Sequence, residues 1–439
     1  MARLSLHARA GLCTSLLAGF VSVGQADEDV NRVRIRATRQ GTVVLAWNDL
    51  GMHCLNPTYD KDVILPPYNT LWAQVVVRGN PPRVLTSGYR VSYAIVGNSY
   101  SYGKGSYGQF WDNALALFGV TLERDKGLNL VEPDRHNGLT GDMVAVGSTF
   151  QAHGIPLVPV SDSGVWNPYQ VAVITVRNTS GQTVAQTRAT IPTSDEIRCD
   201  KCHGGAVRPY LEIHDRNHGT HLDGAPQPFL CASCHASPVL GAPSQPGVKY
   251  LSEAVHGLHG RVQPMPACYD CHPGQKTQCN RSVAHTDASG ACTQCHGSLQ
   301  QVASSIASGR VPWANEPGCV SCHTGVAGVD TGSTLYRNAV GHGGVACAGC
   351  HGSPHAMMPS QQASDNYQAV QYQTTVNSIG SCGTCHDSSR GEGGSKVAEE
   401  FFSKHGGSRT DEPTACHVCH TAVSSNLARW PHAFQWRAR

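Results

Sequence analysis

The chain carries little charge. Only 15% of its 439 residues are Asp, Glu, Lys or Arg, and the signs nearly cancel, 33 basic against 31 acidic. That excludes a basic field for nucleic acid and an acidic tail. Past the first 26 residues no stretch holds 18 uninterrupted apolar residues, so a spanning helix is not expected there. Large apolar side chains are scarce in one part only. Residues 27–195 contain 44 Leu, Ile, Val and Phe in 169, about 26%, whereas residues 196–439 contain 35 in 244, about 14%. A stretch below about 20% in these residues cannot usually build a core from its own side chains. The second part is therefore disordered, or something other than side chains fills its interior. No Ser/His/Asp set and no phosphate-binding loop stands out.

What is abundant is cysteine, 19 residues, with 23 histidines. Spacing decides among a disulfide scaffold, a zinc protein and a haem protein. The N-terminus bears on the compartment. Arg3 and Arg9 precede a charge-free run, Ala10 to Gly24, and Ala26 offers a small residue ahead of Asp27-Glu28-Asp29. Residues 1–26 read as a secretory signal peptide. The alternative is a membrane anchor, for which the run is short.

Residues 27–195 are expected to be β-rich. Strand-like runs are Val43–Trp47, Leu71–Arg78, Tyr89–Gly97, Gln170–Arg177 and Thr183–Ile191. Several alternate apolar and polar residues, as in Tyr89-Arg90-Val91-Ser92-Tyr93-Ala94-Ile95. Asn178-Thr179-Ser180-Gly181 suits a hairpin turn, and one helix is expected over Phe110–Phe118. The expected architecture is an all-β sandwich of immunoglobulin-like type. Residues 196–439 are rich in Gly, Ser, Pro and His and read as loop-rich, mostly α or irregular. Short helices are expected at Ser252–His259 and Leu299–Ser308.

That second part carries Cys-x-x-Cys-His eight times. The cysteine pairs are Cys199/Cys202, Cys231/Cys234, Cys268/Cys271, Cys292/Cys295, Cys319/Cys322, Cys347/Cys350, Cys382/Cys385 and Cys416/Cys419. The adjoining histidines are His203, His235, His272, His296, His323, His351, His386 and His420. Two cysteines three apart reach the two vinyl groups of one haem as thioethers, and the next histidine meets the iron as proximal ligand. Paired Cys-x-x-Cys motifs also build zinc sites, but those do not require a histidine after every second cysteine. A disulfide framework is the other alternative. Eight c-type haems account for the missing core, since flat apolar macrocycles replace Leu and Val. Successive motifs start 24 to 37 residues apart, which crowds the haems together. Their sixth ligands separate a wire from an enzyme. Histidine on both faces closes an iron to substrate, and an open face binds one. Eleven histidines in this part lie outside the proximal positions, enough to close all eight. None falls between His296 and Cys319, so some must come from distant sequence.

The motifs resemble those of secreted multihaem (octahaem) c-type cytochromes of respiring anaerobic bacteria. The resemblance spans Arg198 to His420. Gly341-His342-Gly343-Gly344, Ser353-Pro354-His355-Ala356, Ile213-His214-Asp215 and Cys268-Tyr-Asp-Cys271-His272-Pro273-Gly274 are similar to patterns of that group. The front stretch Asn48-Asp49-Leu50-Gly51-Met52-His53-Cys54 resembles a partner of such haem segments. The resemblance implies low-potential electron transfer in anaerobic respiration, in the periplasm, at the outer-membrane surface or outside the cell. Implied partners are other cytochromes, an outer-membrane conduit or a second copy. It also favours His214, His218, His256, His259, His285, His342, His355 and His405 as distal ligands. Two other functions stay open: reduction of a nitrogen or sulfur oxyanion at one open haem, and a polymerising wire subunit. Outside the signal peptide and the motifs only Cys54 and Cys279 remain. In an oxidising compartment they form a disulfide between the two parts or stay buried thiols. His53 is either a distal ligand or an ordinary β-segment histidine.

Overall fold

A computed structural model of the protein describes residues 41–79, 81–197, 199–203, 209–274, 276–285, 292–322, 334–373 and 375–386. The expected signal peptide, His323, His405, Cys416, Cys419 and His420 lie outside these residues. The strands are β1 (Thr42–Trp47), β2 (His53–Cys54), β3 (Asp62–Val63), β4 (Asn69–Val77), β5 (Arg83–Leu85), β6 (Tyr89–Ile95), β7 (Thr140–Asp142), β8 (Val144–Val146), β9 (Thr149–Ile155), β10 (Tyr169–Asn178), β11 (Thr183–Ser194) and β12 (Phe229–Leu230). The N-terminal part is thus built of β-sheets, as its composition requires. One sheet runs β1-β4-β9-β8 with β5 also on β4; the second runs β2-β11-β10-β6-β7. Pairing in these two sheets is antiparallel except where β2 runs parallel to the end of β11, Thr193 opposite His53 and Ser194 opposite Cys54. The β10–β11 hairpin closes through Asn178–Gly181, where Gly181 takes φ +77° and donates to the Asn178 carbonyl at 2.9 Å.

Alternation explains how the sheets stack. Val44, Ala46, Leu71, Ala73 and Val75 of the first sheet meet Val91, Tyr93, Ile95, Ala172, Ile174 and Val176 of the second in one core. The opposite face of β1 and β4 is also apolar: Val43, Leu45, Trp47, Trp72 and Val76 pack with Ala346 and Ala348, next to the sixth motif. A sheet covered on both faces reads as a continuous apolar run, which is why β1 is Thr-Val-Val-Leu-Ala-Trp. β6, buried on one face, alternates instead.

Helix α1 (Gln109–Phe118) ends at Gly119, left-handed at φ +71°, whose N–H returns to the Leu115 carbonyl. Its buried Phe110, Trp111, Ala114 and Leu117 form a second core with Tyr59, Val63 and Leu122. Among the described residues the motif-bearing part holds short helices: α2 (Asp200–His203), α3 (Pro209–His218), α4 (Leu251–His259), α5 (Cys292–His296), α6 (Leu299–Ala307), α7 (Cys347–His351) and α8 (Tyr367–Gln373). α4 and α6 fall where patterning expects them; Ser298 and Gln301 cap α6 reciprocally. α8 covers the free edge of β1. Gln368 Oε1 accepts from the Ala46 N–H at 2.8 Å, its amide donates to the Ala46 carbonyl, and the Tyr372 hydroxyl donates to the Val44 carbonyl at 2.6 Å.

Candidate metal centres

Each described motif is a single helical turn. Four are 3-10 turns, Cys231–Ser233, Cys268–Asp270, Cys319–Ser321 and Cys382–Thr384; the others are α2, α5 and α7. In the first three motifs the histidine N–H donates to the carbonyl of the first cysteine, at 3.1 Å for His203 and His235 and 2.9 Å for His272. The i to i+4 turn gathers both cysteines and the histidine on one side.

The second cysteine of a motif closes the same turn. The N–H groups of Cys202, Cys234, Cys271 and Cys322 donate to the carbonyls of Cys199, Cys231, Cys268 and Cys319, at 3.4, 3.3, 3.2 and 3.2 Å. The motif cysteines are covered unevenly. Cys202, Cys271, Cys295, Cys319 and Cys322 are exposed. Cys199, Cys231, Cys234, Cys268, Cys292, Cys350 and Cys385 are half-buried, and Cys347 is buried. Cys202 and Cys322 are exposed, whereas Cys385, at the same place in the seventh motif, packs against the outer face of β1 and β4. Cys347 is buried because α7 packs on the outer face of β1.

Motif histidines meet distant histidines in pairs. Ring centroids are 6.1 Å apart for His203 and His259, 6.4 Å for His214 and His235, and 6.0 Å for His256 and His272. They are 6.1 Å apart for His296 and His355 and 6.2 Å for His342 and His386. Every pair joins one proximal candidate to one distal candidate. His218 lies 4.8 Å from His214, on the same helix. The proximal candidate His351 rests its Nδ1 on the Ser378 hydroxyl at 3.1 Å, and His285 sits 3.3 Å from Ser282 Oγ.

In several of the paired rings the outer nitrogen is held. His256 Nδ1–H donates to the Ser252 carbonyl at 2.7 Å, and His259 Nδ1–H to the Val255 carbonyl at 2.8 Å, each one turn back along α4. His235 donates to the Lys249 carbonyl at 2.9 Å. His214 Nδ1 meets the Thr220 hydroxyl at 2.8 Å. That hydroxyl donates to Asp215, whose carboxylate also accepts from the Leu222 and Asp223 N–H groups. An Nδ1 bond of this kind fixes the tautomer and leaves Nε2 for a metal. Burial pushes His272 and His355 down to about 4, which keeps both rings neutral near pH 7.

The β-rich part contributes contacts that motif reading misses. His355 Nδ1–H donates to the Leu50 carbonyl at 3.3 Å. Gln74, in β4, bonds the Ala346 N–H at 2.8 Å and the Gly344 carbonyl at 3.1 Å. Arg78 Nε donates to the Thr384 carbonyl at 2.9 Å, seating the seventh motif at the end of β4. These partners are a backbone carbonyl, a neutral amide and a lone arginine, which leave no spacing signature in a sequence. The Asn48–Cys54 stretch is the only cue.

Within that stretch His53 is buried, bonded through Nε2 to Asp49 at 3.1 Å and stacked on Tyr68. Asp49 also accepts from the Thr70 hydroxyl. Burial raises the Asp49 carboxyl, but the bonds from His53 and Thr70 outweigh it and hold the group below the ordinary range. Cys54 and Cys279 stand as free thiols. They sit on adjoining segments: Cys54 lies opposite Ser194, and the Thr277 hydroxyl donates to Ser194 Oγ at 3.2 Å. Burial and the nearby Cys279 push the Cys54 thiol up, and burial pushes Cys279 up to about 11.

Compared with known proteins, the chain matches no family model, no curated protein and no solved structure.

Proposed function

We propose that this chain is a secreted multihaem c-type cytochrome that carries electrons, with eight covalently attached haems and no substrate chemistry of its own. The observation that carries the reading is the set of five histidine pairs, each joining a motif histidine to one distant in sequence. A metal–imidazole bond is about 2 Å and the ring centre lies about 1.2 Å beyond the nitrogen, so two imidazoles across one metal have centroids about 6.4 Å apart. The five separations, 6.0 to 6.4 Å, match that span. Among the described residues no three His, Cys, Asp or Glu gather as a metal cluster. A group that supplies its own four equatorial nitrogens needs only two ligands from the chain.

His259 and His203 would hold the first haem, His214 and His235 the second, His256 and His272 the third. His355 and His296 would hold the fourth, His342 and His386 the seventh. Bound there, haem supplies a one-electron iron couple. The motif cysteines would tether it, the paired histidines would close both faces to small molecules, and the Nδ1 bonds of His214, His235, His256, His259 and His355 would fix those rings. His256 and His259 lie one turn apart on α4, so the groups of the first and third motifs are neighbours.

Residues 27–195 are assigned to an immunoglobulin-like sandwich and 196–439 to the haem part. Two mostly antiparallel sheets around one core support the former. The charge pattern at residues 1–26 supports export to the periplasm or beyond, with another cytochrome, an outer-membrane conduit or a second copy as partner. No helix among the described residues is long and apolar enough to cross a membrane. In that compartment Cys54 and Cys279 would close to a disulfide by exchange with a protein disulfide, which takes up their two protons and two electrons. The denatured, unreduced protein would then show no titratable thiol.

The reading is tested on purified, dithionite-reduced holoprotein exposed to carbon monoxide. An unchanged Soret band is expected. A change worth one haem would shift the assignment to an oxidoreductase, to be assayed with nitrite, hydroxylamine and tetrathionate.

A further inference from the structure

We infer that the front β segment, through the loop Asn48–Gly51, holds the sixth ligand of the fourth haem, so that this loop decides whether that iron is closed. The inference rests on the reading of His296 and His355 as an axial pair. His214, His256 and His259 take their Nδ1 partners from their own neighbourhood in the motif-bearing part. His355 takes its partner from the β-rich part, the Leu50 carbonyl.

The two segments interlock. Asn48 Oδ1 accepts from the Leu50 and Gly51 N–H groups, at 3.1 and 2.7 Å, which folds the loop tightly. The Asn48 N–H donates to Ser353 Oγ at 3.1 Å. Gly51, at φ +84°, lies so close to the Pro354 carbonyl oxygen that a Cβ there would overlap it. Arg281 clasps both sides. Its guanidinium donates to the Gly51 carbonyl at 2.8 Å and pairs with Asp365 at 2.8 Å, while its backbone N–H donates to the His355 carbonyl at 2.5 Å. Ser282 N–H adds a second bond to that carbonyl at 3.2 Å.

His355 needs this clasp. It sits at φ +60°, a conformation that non-glycine residues adopt only where their surroundings impose it. Freed from the loop, its backbone relaxes toward negative φ and the ring leaves the position opposite His296. Asn48, Gly51 and Ser353 are thus positioning residues that act through His355.

The test uses reduced holoprotein with carbon monoxide, together with the high-spin ferric signal in electron paramagnetic resonance. Gly51→Ala is expected to bind carbon monoxide at one haem more than the wild type and to gain one haem's worth of high-spin signal. His355→Ala should do the same, and the double variant should open that same single haem. If His355→Ala opens none, the axial pairing itself fails. If His355→Ala opens one and Gly51→Ala opens none at full haem content, the pairing stands and the loop's role is overturned. Should Gly51→Ala yield no holoprotein, Ser353→Ala decides, because it deletes one hydroxyl and leaves the backbone intact. Faster carbon monoxide binding at one haem, or a shift in one reduction potential, supports the clasp; unchanged kinetics and potentials overturn it.

Discussion

Single buried residues here serve two ends, and Asp49 separates them. Its carboxylate is held ionised by His53 and Thr70 inside the β segment. Because the folded-state value lies below the unfolded one, the stabilisation is complete above the ordinary carboxylate range. It is lost as pH falls through the folded value. Asp49→Asn should therefore cost about 1–3 kcal/mol near neutral pH, the price of half-broken buried hydrogen bonds. It should also flatten the acid limb of stability against pH below about 4. Urea unfolding of the holoprotein across a pH series measures both; parallel limbs for variant and wild type would remove Asp49 from the account. A neighbouring residue, Arg281, buries its charge against Asp365 with both side chains nearly inaccessible, 2% and 5% exposed. Such a pair adds little net stability, but loss of either partner leaves a buried charge uncompensated. It suits a residue whose task is to fix one arrangement of two segments.

At the scale of elements, legibility in the sequence follows periodicity. β1, β4, β6, β10, β11 and α1 lie where alternation or helical spacing puts them, within a few residues. β2, β3 and β12 are two residues long and pair in parallel across long loops, so no local pattern marks them. The helices α4 and α6 are legible, but the division of labour on α4 is not. His256 and His259 differ by three positions, which turns them about 60° apart around the helix axis. Counting histidines gives a sufficient supply, and only the folded chain shows one helix facing both the first and the third motif. Consequently His256→Ala and His259→Ala should each open one haem to carbon monoxide in the reduced protein. The double variant should open two, with absorbance changes that add. Single variants that perturb the same haem would show the helix serving one site. The fourth motif shows why gap counting fails: its partner, His355, lies beyond two further motifs in sequence.

For the whole molecule, the deficit of large apolar residues after residue 195 has a consequence that reaches back into the β-rich part. The face of β1 and β4 bearing Val43, Leu45, Trp47 and Trp72 is covered by residues flanking the sixth and seventh motifs. Those residues lie on helices of at most seven residues, on turns or on loops, too short to persist without packing partners. On the proposed reading, removing the haems should therefore unfold the motif-bearing part and strip that face. Each large side chain returned to water costs about 1.5–3 kcal/mol. Four of them amount to a sum comparable with the net stability of a domain, about 5–15 kcal/mol. The haem-free chain should lose its helical circular dichroism and be cut by trypsin at Lys249, Arg261, Arg310 and Arg337. Its tryptophan emission should shift to the red as Trp47 and Trp72 meet solvent. The inter-sheet core, which uses the other face of the same strands, should keep β10 and β11 protected at low temperature, with a lowered melting point. A haem-free chain that melts cooperatively at the holoprotein's temperature would mean that side chains alone make this core, against the composition of the segment.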